Sequence, residues 1–338
     1  MHNLSERRWN MTSAKVGAFL WIVIALLVFL GRTPLGVIDV LFLLAPLVVV
    51  PLGLELLRRH AFAQPVTLGR IACIVQPFAA LLAVVSFWFP AGLFAGALAS
   101  AWLLFGGLMA FAALPDLFRQ SRWALDRVVF AAACIDLAIG AGWFATSRAG
   151  MSPMGFQEPI VLLTGVHFHF SGFAAALLAG ATLKLCRGKG TVGVAKWIVA
   201  AAVFVPYLLA AGFVFSPGLK LACALVLAAA LLGFALMQLS IAGDFASMRV
   251  RTLLRTSAGL LIPGMLLAAV YALGEYTGNY WLVIPQMARV HGILNGPGFA
   301  LLGLLAWVLE RPNRKRVLQP IGEALAGAAY FSDTRRAS

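Results

Sequence analysis

The 338-residue chain is 62% hydrophobic and only 11% charged, against about 45–50% and about 25% in soluble domains. That much apolar surface excludes a soluble globular fold and a disordered chain, and specifies an all-α, polytopic membrane helical bundle. The formal charge of +14 does not mark a nucleic-acid partner, because the basic residues fall in short clusters between long apolar runs and no DNA- or RNA-reading motif is present.

A helix needs about 20 apolar residues to cross the hydrocarbon core. In chain order the candidates run 15–31, 35–57, 70–90, 92–114, 126–146, 160–183, 194–214, 219–241, 257–276 and 281–308. The first follows Arg7, Arg8 and Lys15 but ends in Gly31-Arg32-Thr33-Pro34, with no small-residue cleavage site, so it reads as a retained span. Pro34, Pro90, Pro115, Pro159 and Pro217 sit at span ends, where a missing N–H does least harm. With the N-terminus inside, every second loop is basic. Only Arg32, Arg148, Lys220 and Arg289 fall outside or within a span, so both termini are cytoplasmic. Residues 1–310 thus form one transmembrane helical domain, and 311–338 a basic cytoplasmic tail suited to the membrane surface. Ten spans would also permit two inverted five-span halves, but no motif pairs such halves.

Ionisable groups inside a bilayer cost about 2.5–3.5 kcal/mol each on insertion scales, so they face protein and mark candidate sites. Here they are Asp39, Glu55, Asp136, His167, His169, Glu275, Arg289 and His291, with the amides Gln76, Gln286 and Asn295, and Glu158 at a span mouth. Glu55 lies beside Arg58 and Arg59 and reads as an interfacial charge. His167, His169 and His291 lie roughly 12–15 Å below the outer surface at about 1.5 Å per residue. Asp136 is near mid-depth, and Asp39, Glu158 and Glu275 lie nearer the surface.

In Thr164-Gly-Val-His167-Phe-His169-Phe-Ser171-Gly172, the two histidines diverge by about 200° on a regular helix. One helix therefore cannot aim both at one ion. His167 shares a face with Thr164 and Ser171, and so lines a polar cavity. His169 shares a face with Gly165, Gly172, Ala176 and Ala179, a small-residue strip for tight packing, and so reaches across an interface. A break at Gly165 or Gly172 would bring the two together. In Arg289-Val-His291-Gly292-Ile-Leu-Asn295-Gly296-Pro297-Gly298-Phe299, His291 and Asn295 stack at i, i+4. Pro297 frees the carbonyl of Ile293, which makes a polar notch. Asp136 needs either a proton or a cation, with Arg289 or a protonated histidine as the candidate partner.

At these residues the sequence resembles the YndJ-like family of bacterial integral membrane proteins. The likeness rests on Glu158-Pro159-Ile-Val-Leu-Leu-Thr164-x-x-His167-Phe-His169-x-x-Gly172-Phe173, on Ala272-Leu-Gly274-Glu275, and on Met287-Ala-Arg289-x-His291-Gly292-x-x-Asn295-x-x-Gly298-Phe299. It implies a multi-pass protein with a loose transporter association and no established chemistry, and so an identity rather than a mechanism.

Several chemistries are excluded by what is missing. No two acids lie closer than ten residues apart, as Asp116 and Asp126 do, so Asp-rich Mg²⁺–diphosphate motifs are absent. Five histidines are too few for a membrane di-iron centre. There is no Walker motif, no G-x-S-x-G and no C-x-x-C. Cys73, Cys134, Cys186 and Cys223 read as small apolar side chains in helices.

The expectation is an intramembrane enzyme in a bacterial cytoplasmic (inner) membrane, acting on an apolar lipid- or isoprenoid-like substrate. Proton transfer would use His167, His169, His291 and Asp136, with Asn295, Arg289, Glu275, Glu158, Thr164 and Ser171 binding substrate. A proton-coupled transporter or flippase using the same groups as a relay is the alternative. The expected partners are the lipid bilayer and an apolar small molecule. No cofactor is expected, although a transition metal held by His167, His169 and His291 remains an open alternative.

Overall fold

The computed structural model describes residues 2–60, 67–118, 125–186 and 190–310. Among them there is no strand, and ten helices are long and apolar enough to cross a membrane. Spans 1 to 5 are Arg7–Phe29, Val37–Arg59, Leu68–Ser86, Leu93–Pro115 and Leu125–Arg148. Spans 6 to 10 are Ile160–Cys186, Val192–Phe215, Pro217–Ala242, Met248–Thr277 and Ile284–Leu309. The ten-span expectation holds, with two large boundary changes, the first being span 1, which begins at Arg7, eight residues earlier than expected. Span 9 begins nine residues earlier than its hydropathy suggests, because the helix carries Arg249, Arg251 and Arg255 on into the cytoplasmic interface, where long basic side chains reach water. The expected basic tail, 311–338, lies outside the described residues.

Spans 2, 6 and 10 are not regular α-helices. Each carries a π-helical stretch near mid-membrane: Ala45–Val49, Phe168–Ala174 and Leu294–Leu301. The three stretches touch one another. A π turn widens the helix and breaks the i→i−4 ladder, and hydrocarbon offers no water to satisfy what is released. Side chains from neighbouring spans supply donors instead. Gln76 Nε2 of span 3 donates to the Pro46 carbonyl at 2.8 Å and is itself held by Ser13 at 2.9 Å. Ser257 Oγ of span 9 donates to the Phe299 carbonyl at 2.8 Å. Just outside the first stretch, Trp21 Nε1 of span 1 donates to the Val40 carbonyl at 2.8 Å. At the inner surface Glu55, fully buried, binds Arg58 and Arg59, and Arg59 also donates to the carbonyls of Trp307, Val308 and Glu310 at the end of span 10. That network ties span 2 to span 10 and confirms Glu55 as an interfacial charge.

Spans 3–6 and spans 7–10 follow one plan. In each block the first three helices pack in sequence and the third packs along the fourth, π-broken helix. The turn before span 4, Phe87-x-Phe89-x-x-Gly92-Leu93, recurs before span 8 as Phe213-x-Phe215-x-x-Gly218-Leu219. The buried face of span 5 is Phe130, Ala133, Cys134, Leu137, Gly140 and Ala141. Its counterpart in span 9, at one constant interval, is Leu254, Ser257, Ala258, Leu261, Gly264 and Met265, all buried. Gly172-Phe173-Ala174 of span 6 recurs as Gly298-Phe299-Ala300 of span 10. The glycines hold equivalent places: a Cβ on Gly172 would come 2.6 Å from the Asp136 side chain, and one on Gly298 2.9 Å from Leu260. Spans 1 and 2 pack together as spans 5–6 and 9–10 do, which makes them half of a further block. The relation is thus a parallel four-span repeat, not an inverted five-span one. Four crossings per block keep both copies in the same orientation.

Gln76→Leu removes the donor to the Pro46 carbonyl and strands the Ser13 hydroxyl. It should cost about 1–2 kcal/mol, read as a lower unfolding midpoint of the detergent-purified protein. Ser257→Ala should cost somewhat less, because it leaves a carbonyl alone unpaired.

Candidate functional site

The structure separates the two histidines of span 6. His169 is fully buried. Its Nδ1–H donates to the Gly165 carbonyl at 2.7 Å, and its Nε2 accepts from Trp102 Nε1 of span 4 at 2.9 Å. A carbonyl only accepts and an indole N–H only donates, so both ring nitrogens are satisfied in one fixed neutral tautomer. The imidazole lies near-parallel to Trp102, with the edge of Phe42 against it. Gly140 of span 5 makes room for it, since a Cβ there would come 2.7 Å from Nδ1. His169 therefore reaches across a tight interface, as its small-residue face indicated. It has no lone pair left for a proton or a metal.

His167 has a different environment. It ends the first α segment of span 6, Ile160–His167, and is exposed. The segment packs on spans 5 and 2, while the outer segment of span 10, Ile284–Ile293, packs on spans 9 and 2. His167 lies within electrostatic reach of His291 on that segment. His167 Nδ1 donates to the Leu163 carbonyl at 2.7 Å, and His291 Nδ1 donates to the Gly264 carbonyl of span 9 at 2.9 Å. In each ring the N–H is thereby fixed on Nδ1, which leaves Nε2 as an acceptor with no donor among the described residues. Asn295, one turn below His291, donates from Nδ2 to the His291 carbonyl at 2.9 Å, and its Oδ1 has no partner. Thr164 is half-buried one turn above His167 with its hydroxyl on the Ile160 carbonyl, and Ser171 is half-buried one turn below.

The remaining candidates lie apart from this cluster. Asp136, buried against Gly172, accepts a hydrogen bond from the Tyr207 hydroxyl of span 7. Its partner is thus a phenol, neither Arg289 nor a histidine. Tyr207 had no signal in the sequence, because one tyrosine on an apolar helix is indistinguishable from core. Arg289 is exposed on span 10. Glu275 pairs with Lys220 at 2.9 Å at the outer end of spans 8 and 9, and Lys220 also lies over the Phe213 ring. Glu158 is exposed and accepts from the Leu162 backbone N–H at 3.3 Å, at the start of span 6. Of the side chains expected to gather from spans 5, 6 and 10, His167 and His291 lie within electrostatic reach and Asn295 bonds to the His291 carbonyl, while Asp136 and His169 are bonded to other neighbours. Among the described residues no three His, Cys, Asp or Glu side chains form a group able to hold a metal ion. The three-histidine arrangement does not form, because His169 is sealed against Trp102.

Superimposing the plan of one block on the other shows where the two differ. In spans 4–6, Trp102, Phe144 and His169 fill the space beside Gly140. In spans 8–10 the corresponding residues are Ala228, Ala268 and Asn295, beside Gly264. Gly165, against the Gly140 carbonyl, corresponds to His291 on the Gly264 carbonyl. One copy is packed with aromatic rings, and the other has small residues and hydrogen-bonding groups at the same depth.

The family model described as YndJ-like protein matches residues 40–299, a stretch that includes His167 and the whole of span 6, and span 10 through His291 as far as Phe299. A curated relative, the uncharacterized membrane protein YndJ of Bacillus subtilis (strain 168), is 28% identical over 252 residues. The match covers 73% of this chain and 44% of the relative, so the chain spans less than half the length of that relative. No solved structure matches the chain. The match over most of the spans, through both histidine segments, shows that this membrane protein belongs to the YndJ-like family.

Proposed function

We propose that the chain is an intramembrane acid–base enzyme. It acts on an apolar, lipid-like substrate taken up in the outer half of a bacterial cytoplasmic membrane. The observation that carries this reading is the His167–His291 pair. Two imidazoles from different helices stand within electrostatic reach of one another, each with its Nδ1–H fixed on a backbone carbonyl and Nε2 open. A ring held in one tautomer by its other nitrogen is prepared to accept a proton at a defined point. Asn295, with one amide oxygen unpaired, orients a substrate donor. Asp136 and His169 support the walls and do not take part in the chemistry.

A second reading, a transporter of the same substrate class, draws on a separate observation. Parallel repeats whose broken helices meet near mid-membrane are a recurrent transporter plan, and spans 2, 6 and 10 meet in that way.

The lipid that co-purifies with the protein, identified by native mass spectrometry, supplies the substrate for the test. In detergent without a gradient, the enzyme should convert it. His167→Ala and His291→Ala should each slow conversion by about 10²–10⁴-fold. Unaltered substrate crossing proteoliposomes, with no conversion in detergent, would establish the transporter instead. Full turnover in both histidine variants would remove the acid–base reading.

Trp102→Phe serves as the structural counterpart. It strands His169 Nε2 in a dry interface and should lower stability by about 1–3 kcal/mol, seen as a reduced unfolding midpoint. Turnover per folded molecule should not change. A selective loss of turnover would return His169 to the chemistry.

A further inference from the structure

We propose that Asp136 and Tyr207 form a proton-binding site at the junction of the two four-span blocks, with one proton held on the Asp136 carboxyl while spans 5, 6 and 7 are closed together. Neither residue belongs to the histidine pair, so this site stands apart from the acid–base reading.

Asp136 lies at the middle of span 5, Leu125–Arg148, and is 2% exposed. An ionised carboxylate there needs a cation or several donors. Among the described residues the neighbouring helices offer neither. Span 4 brings Gly106 against Leu137 and Ala138. Span 6 brings Gly172, where a Cβ would come 2.6 Å from the Asp136 side chain, and its His169 is bonded to Trp102 and the Gly165 carbonyl. Span 7 brings the Tyr207 hydroxyl, which donates to Oδ1. Asp126, ten residues before Asp136 on span 5, pairs with Lys184 at 3.7 Å. Tyr207 is thus the single hydrogen-bond donor to Asp136 among the described residues, with no Lys, Arg or His side chain paired to it. One phenol does not balance a full charge in a dry interface. A proton on Oδ2 does, and it leaves Oδ1 as the acceptor for Tyr207.

The repeat indicates that the fold does not require an acid at this position. The interval that relates Gly140 to Gly264 puts Leu260 in the place of Asp136, and Leu260 packs on Gly298 as Asp136 packs on Gly172. In span 1 the buried residues Asn10, Ala14, Gly17 and Ile24 match Ala133, Leu137, Gly140 and Ser147 at one constant interval, and Ser13 then takes the place of Asp136. Ser13 bonds to Gln76 of span 3, the first helix of the following block, as Asp136 bonds to Tyr207 of span 7. The two junctions carry corresponding bridges, neutral in the first and ionisable in the second. Leucine or serine meets the packing demand. The carboxyl therefore adds what packing does not need, a group that takes up and releases a proton.

Tyr207 directly follows Pro206 inside span 7, a residue that removes a helical N–H and gives the helix a place to bend. The Tyr207 ring also meets Phe168, the first residue of the span 6 π stretch, with centroids 6.3 Å apart. The bridge lies where span 7 can bend and where span 6 is already irregular. Loss of the proton leaves a carboxylate in the closed junction and favours parting of span 7 from spans 5 and 6 until water reaches it. Uptake of one proton from water forms the O–H bond on Oδ2 and closes the junction again, with no other covalent bond made or broken.

The test is infrared spectroscopy on the detergent-purified full chain, with Asp136→Asn as the neutral reference. The difference spectrum between wild type and Asp136→Asn at neutral pH should contain the carbonyl band of a protonated carboxyl, and raising the pH should replace it by carboxylate bands. Tyr207→Phe removes the bond to Oδ1 and should shift the band to higher frequency. In unfolding measurements the wild-type midpoint should fall further below that of Asp136→Asn as the pH rises, because the unfolded carboxyl ionises freely in water and the enclosed one does not. Should Asp136→Asn not fold, Asp136→Leu copies the second block and serves as the reference. Carboxylate bands alone at every pH, or a midpoint difference that does not change with pH, would overturn the proposal. The turnover assay of His167→Ala reports separately. Histidine-dependent turnover without the carboxyl band keeps the acid–base reading and removes this site, and the band together with full turnover in His167→Ala does the reverse.

Discussion

Every backbone polar group in the hydrocarbon must find a partner inside the protein, and spans 2, 6 and 10 break the helical ladder where no water can repair it. The helices around them are arranged to meet that demand. Gln76 and Trp21 serve span 2, and Ser257 serves span 10. In span 6 the ring of His169 binds the Gly165 carbonyl and is locked in turn by Trp102. The Trp102 bond joins span 4 to span 6, and those of Gln76, Trp21 and Ser257 join neighbouring spans, so the broken helices are also points at which the bundle is tied together. His167 and His291 are held by backbone carbonyls, those of Leu163 and Gly264. That gives His167 and His291 their fixed orientation.

The two four-span blocks divide the work between them. The first is closed, with Trp102, Phe105, Phe144 and Phe173 among its fully buried rings. The second keeps the helix geometry and the glycine contacts but has alanine where the first has a tryptophan and a phenylalanine. Small residues at those positions give up dispersion contacts, and the buried amide oxygen of Asn295 lacks a donor.

The separation of the histidines has the same origin. On one regular helix His167 and His169 would point apart, and the π stretch that starts directly after His167 does not bring them together. It lets His169 settle over Gly140 while His167 remains exposed. The small-residue strip beside His169 identified the packing histidine in the sequence. It could not identify the packing partner, because Trp102 is one of nine tryptophans and carries no local mark of its role.

Hydropathy and the rarity of charge were enough to determine ten helices and the short set of residues that did not belong in lipid. These are properties of consecutive residues against a fixed solvent, and a bilayer constrains them strongly. The tertiary structure decided which of those residues meet. It gave Asp136 a tyrosine rather than a cation, closed one histidine against an indole and opened another toward His291. It also revealed a four-span repeat that a search for inverted halves could not find. Partners such as Asp136 and Tyr207, 71 residues apart, are chosen by helix packing. The repeat is carried by matching burial and glycine contacts more than by matching residues, so both emerge only when the helices are set side by side.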